Sequence, residues 1–70
     1  MSRRIKGKLG KNPSPEDIRS VRNQAGLKQS EACQLVYATL SAWESWEQGT
    51  RPMHPGLWEL FQIKTGILHD

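Results

Sequence analysis

Closely spaced helix start and stop signals cut this chain into short segments, and that spacing is its strongest constraint. Ser14, Pro15, Glu16 and Asp17 form a helix start: a hydroxyl cap, a proline where no N–H is needed, and acids against the positive dipole end. Asp17, three residues after Ser14, approaches a capping box. Ile18, Val21, Arg22 and Ala25 share one face, and Gly26 suits a left-handed cap with Leu27 folding back. A first helix is predicted over about residues 15–25. Ala32, Leu35 and Val36 make an apolar stripe at helical spacing, predicting a second over about 29–36. Thr39 is an N-cap for a third, in which Leu40, Trp43 and Trp46 recur until Gln48 and Gly49 ends it. Residues 50–56, "TRPMHPG", read as loop, and Pro55 opens a fourth helix that Gly66 closes.

Helices this short are not stable alone. They must share a core, for which Ile18, Val21, Leu35, Val36, Trp43, Trp46, Leu60 and Phe61 are the candidates. The expected fold is all-α, a compact domain of four helices over residues 14–70, with "ILHD" too short for a full fifth. Seventy residues allow one domain with a modest core. No apolar run approaches the ~20 residues of a membrane span, and no secretory leader is expected. Cys33 stands alone, and Cys33, His54 and His69 lack metal-site spacing, so no disulfide, metal or cofactor is expected. A reducing, cytoplasmic setting fits.

Charge is divided unevenly. Residues 1–13 carry Arg3, Arg4, Lys6, Lys8 and Lys11 and no acid, whereas residues 14–70 carry five basic and seven acidic residues. Gly7, Gly10, Asn12 and Pro13 interrupt the basic stretch, which is expected to be a disordered arm. A positive arm on a mildly acidic body points to a polyanionic partner; a solubilising tail is the alternative.

Residues 29–48 make one unit. A helix of about eight residues, a turn of about three and a helix opening at Thr39 have the helix-turn-helix outline. Cys33 supplies the small residue that must face the second of these helices. Ala38 is expected to be buried in the turn, with Trp43 and Trp46 as the inner face. Glu44 and Glu47 lack the His, Cys or ligand set that catalysis needs, so no catalytic residue and no enzymatic activity is expected.

Over "LKQSEACQLVYATLSAWESWEQG" the sequence resembles, without gaps, the phage-repressor (Cro/XRE-type) helix-turn-helix family. The likeness rests on Leu27, Lys28, Gln29 and Glu31, on Thr39 opening the second helix, and on Trp43, Trp46, Glu47 and Gly49 closing it. "SPEDIRSVRNQAGLKQ" is similar to the family's first helix and Gly-Leu corner, extending the resemblance to about residues 14–66. Four positions depart from it. The family usually has Ala at Cys33, Gly at Tyr37, and Ile, Val or Leu at the tryptophans. A tyrosine at the turn position would have to accept a strained positive φ.

The resemblance implies that the third helix enters the DNA major groove. Leu40, Ser41, Ala42, Glu44 and Ser45 would face base edges, with Gln48 at the margin, and no Arg or Lys among them. Lys28, Gln29, Thr39, Thr50, Arg51 and His54 would meet the sugar–phosphate backbone, as would Arg3, Arg4, Lys6 and Lys8 of the arm. Glu47 is expected to pair locally rather than to touch DNA. A homodimer is implied, with Trp58, Ile67 and Leu68 as interface candidates and core as the alternative place for Trp58, on a palindromic operator with half-sites roughly 34 Å apart. The implied activity is transcriptional regulation, chiefly repression, without a small-molecule ligand. Small regulators of this type occur on phages and plasmids, including beside anti-CRISPR genes. Two competing readings are an antitoxin-like protein-interaction module with autoregulatory DNA binding, and a non-specific nucleic-acid binder driven by the arm.

Overall fold

A computed structural model describes residues 12–67. Four helices follow one another: α1 Pro15–Gln24, α2 Gln29–Leu35, α3 Leu40–Gln48 and α4 Pro55–Lys64. Among the described residues there is no strand, so the all-helical expectation holds. α1 and α2 each end one residue early, because Ala25 and Val36 serve as C-caps.

The N-termini follow local side-chain chemistry. Ser14 Oγ accepts from the Asp17 N–H at 3.0 Å, and Thr39 Oγ1 from the Ala42 N–H at 3.1 Å. His54 Nδ1 accepts from the Gly56 N–H at 2.9 Å and caps α4. Lys28, which caps α2, has no side-chain acceptor; instead the Glu31 carboxylate reaches back to the Lys28 N–H at 2.8 Å.

Three C-termini share one paired closure. After α1, Gly26 N–H donates to Asn23 O and Leu27 N–H to Arg22 O. After α4, Gly66 N–H donates to Ile63 O and Ile67 N–H to Gln62 O. After α2, Tyr37 N–H donates to Gln34 O and Ala38 N–H to Cys33 O. This Schellman arrangement needs a left-handed residue at its second-last position. Gly26 and Gly66 adopt it at φ 73° and 79°, and Tyr37 adopts it at φ 60°. For a tyrosine that conformation costs roughly 1–2 kcal/mol. The turn therefore keeps the geometry a glycine would give it.

α3 packs against both α1 and α2, and α4 against α2. Ile18, Ala32, Cys33, Val36, Trp43, Trp46, Met53, Trp58 and Phe61 are buried. Trp43 is the centre, edge-on to Trp46 at 5.5 Å and to Phe61 at 4.9 Å. Val21, Leu35 and Leu60, expected in the core, are only half-buried at its margin, as is Ala38. Four buried apolar residues lie outside the set of core candidates: Ala32, Cys33, Met53 and Trp58. Met53, in the stretch expected to be loop, is fully enclosed, and its carbonyl accepts from Asn12 Nδ2 at 2.7 Å. Trp58 also belongs to the core.

Met53→Ala is expected to cost about 2–5 kcal/mol, the usual penalty for emptying a buried site. Ile63→Ala, at an exposed position, should stay within about 0.5 kcal/mol. Urea denaturation distinguishes them; equal, small effects would show that the 49–54 segment does not seal the core.

Candidate nucleic-acid interface

α3 is oriented by a buried carboxylate. Glu47, one residue from the end of the helix, is only 4% exposed. Its Oε2 accepts from Arg22 Nε at 2.5 Å and from Trp43 Nε1 at 2.7 Å. Its Oε1 accepts from Arg22 Nη2 and Gln29 Nε2, both at 3.0 Å. Arg22 thus makes a two-pronged pair from α1, Gln29 reaches in from α2, and Trp43 lies one turn back on α3. Arg19 adds a bond from its Nη2 to the Glu47 carbonyl at 2.9 Å, placing a cation at the negative end of α3. Arg22 Nη1 also holds the Leu27 carbonyl at 3.0 Å, fastening the α1–α2 corner.

Burial by itself would raise the Glu47 carboxyl pKa. The hydrogen bonds from Arg22, Trp43 and Gln29 outweigh it and hold the group below the usual carboxylate range. The same bond raises the Arg22 pKa. Glu47 is therefore ionised and fully engaged, with no lone pair turned to a ligand.

With Trp43, Trp46 and Glu47 inward, the 100° step of the helix puts Ser41, Ser45 and Gln48 on the outer face, flanked by Leu40 and Glu44. Leu40, Ser41 and Gln48 are exposed, and Glu44 and Ser45 half-buried. Ser45 Oγ donates to the Ser41 carbonyl at 3.0 Å, which leaves its oxygen free to accept. Ala42 departs from its expected place: it stands one turn before Trp46 and packs against the core, half-buried. Gln48, marginal on sequence grounds, takes a full place on the outer face.

The backbone candidates divide similarly. Lys28, Thr39, Thr50, Arg51 and His54 are exposed. Thr39 and His54 also cap helices, and Thr50 Oγ1 donates to the Ser45 carbonyl at 3.4 Å. Gln29 donates its half-buried side-chain amide to Glu47, and its main-chain N–H, at the start of α2, is the group the expected phosphate contact would use. Arg3, Arg4, Lys6 and Lys8 lie outside the described residues. Of the dimer candidates, Trp58 is 7% exposed and packed in the core, leaving little of it for a second subunit. Ile67, like Ile63, is exposed, and Leu68 lies outside the described residues. No helix among the described residues is long and apolar enough to cross a membrane.

The sequence held a signal for the buried pair. Arg22 shares the apolar face of α1 with Ile18, and a charge on such a face needs a buried counter-charge.

No protein-family model matches the chain. Over 50 residues, 71% of its length, it is 30% identical to the type II methyltransferase M.MspI of Moraxella sp.. The chain spans only 12% of that relative's length.

The depressed Glu47 pKa sets a pH dependence. The ionised group stabilises the fold fully above the unfolded carboxyl value of about 4.3, and this is lost as pH falls through the lower folded value. Thermal midpoints should be level from about pH 7 to 5 and drop below about 4. Glu47→Gln should cost about 3 kcal/mol or more at neutral pH, because Arg22 loses its charge partner, and should flatten the acid limb. Circular dichroism melts across that range provide the check; parallel acid limbs in the two proteins would assign the transition to other carboxyls.

Proposed function

We propose that the chain is a small helix-turn-helix DNA-binding regulator that reads duplex DNA with the outer face of α3. The observation that carries this reading is the division of α3. Arg22, Gln29 and Trp43 fix its inner side through Glu47, while its outer side presents side chains with free hydrogen-bonding capacity. A reading helix needs both: a rigid mount and an unengaged face.

The outer groups have complementary chemistry. Gln48 can bond adenine N6 and N7 together, Glu44 can accept from cytosine N4, Ser41 and Ser45 suit several edges, and Leu40 suits a thymine methyl. α3 carries no cation, so attraction to phosphate falls to Lys28, Arg51 and the basic stretch before residue 12. The action is as a homodimer on a palindromic site, with repression by occupying a promoter, and the chain is no enzyme. The likeness to a methyltransferase covers too little of that protein to transfer its activity. It fits a small module shared between proteins of different function.

Selection from a random duplex pool, followed by gel shifts against competitor DNA, tests this. A recovered inverted repeat is expected. Gln48→Ala and Glu44→Ala should each relax one base position by about 1–3 kcal/mol while altering stability by less than about 0.5 kcal/mol. Equal binding to selected and random duplex at every salt concentration would replace this reading with non-specific binding. No binding to either would leave the protein-interaction reading.

A further inference from the structure

The turn between α2 and α3 does not hold its tyrosine unaided. Lys64, the last residue of α4, donates from Nζ to the Leu35 carbonyl at 2.9 Å and to the Tyr37 hydroxyl at 2.8 Å. The same ammonium stands 4.3 Å from the centre of the Tyr37 ring. One cation from a different helix thus satisfies a carbonyl at the end of α2, meets the ring's negative face, and holds the phenol oxygen. Tyr37 is otherwise 82% exposed, so no surrounding core enforces its φ of 60°. The equivalent positions after α1 and α4 are glycines, Gly26 and Gly66, which adopt this conformation without strain and have open space where a Cβ would stand.

We propose that Lys64 is a positioning residue for α3: it clamps the strained Tyr37 turn and so couples the end of α4 to the orientation of the outer face. The turn leads within three residues to Thr39 and Leu40, so its conformation sets where α3 begins. As a statement about DNA reading, this rests on the function proposed above. The clamp itself does not. Lys64 is not a phosphate contact, since its ammonium is already committed to the turn.

Three measurements decide it. Tyr37 is the only tyrosine in the chain, so its phenolate absorbance reads the pair directly. The adjacent ammonium lowers its pKa, through the hydrogen bond first and charge second, and Lys64→Met should return the titration upward. A urea double-mutant cycle of Tyr37→Gly and Lys64→Met should show coupling of about fivefold or more in the folding constant. Tyr37→Gly should be close to neutral while Lys64 is present. In the Lys64→Met background it should be stabilising, because there the strain it relieves is no longer offset. In binding to the selected duplex, Lys64→Met should lose about threefold to tenfold, and adding Tyr37→Gly should restore it, with the salt slope unchanged.

Coupling below about twofold, or an unmoved phenol, would overturn the clamp. Unchanged duplex affinity in Lys64→Met would overturn the positioning role. A shallower salt slope that Tyr37→Gly does not rescue would make Lys64 a phosphate contact instead. If the unaltered protein binds no duplex, the proposed function fails, whereas the titration and the cycle still judge the clamp.

Discussion

The contact on which the rest depends is the ion pair between Arg22 and Glu47. A lone carboxylate in this interior would cost several kcal/mol in lost hydration. Four donated hydrogen bonds, each of the charge-assisted kind worth about 1.5–3 kcal/mol, turn that cost into a constraint on geometry. The constraint is specific because the donors come from α1, α2 and α3 together. An apolar core can slide by a fraction of a turn with modest loss, but a bidentate guanidinium pair cannot. The aromatic cluster supplies the bulk of the burial, and Glu47 selects one arrangement of it.

The two ends of α3 are held by different means. At its far end the Glu47 network and Arg19 gather three helices around the last turn. At its near end the holding contacts are the Thr39 cap and the Tyr37 turn gripped by Lys64. The far anchor is shielded from water and the near one is exposed, so solvent competes chiefly at the near end. Small adjustments of α3 would therefore pivot about Glu47.

Much of this was legible in the sequence because it was local. Ser14, Thr39, Gly26, Gly49 and Gly66 mark helix ends to within about a residue, since caps depend on neighbours and not on the tertiary fold. The inward faces of Trp43 and Trp46 follow from helical spacing. What escapes depends on distant partners. Met53 reads as loop because Pro52 and Pro55 bracket it, and only the assembled fold buries it. Trp58 reads as either core or dimer contact, because the core looks thin without Met53, which joins the same cluster and widens it. Gln29 stands at a helix start, and nothing local reveals that its side chain reaches Glu47, 18 residues away. On α3, one turn of separation from Trp46 draws Ala42 toward the core, a distinction finer than apolar periodicity resolves.

All three tryptophans lie inside the fold, at 7% exposure or less. The molecule accordingly carries an internal optical probe placed away from its candidate contact face. Intrinsic fluorescence will report the opening of the core, and Trp43 in particular, with its indole N–H on Glu47, will sense the breaking of that network. Occupancy of the outer side of α3 should leave the emission almost untouched. Folding and recognition are thereby separable in a single cuvette, a consequence of using large aromatics where smaller aliphatic side chains would have filled the space unseen.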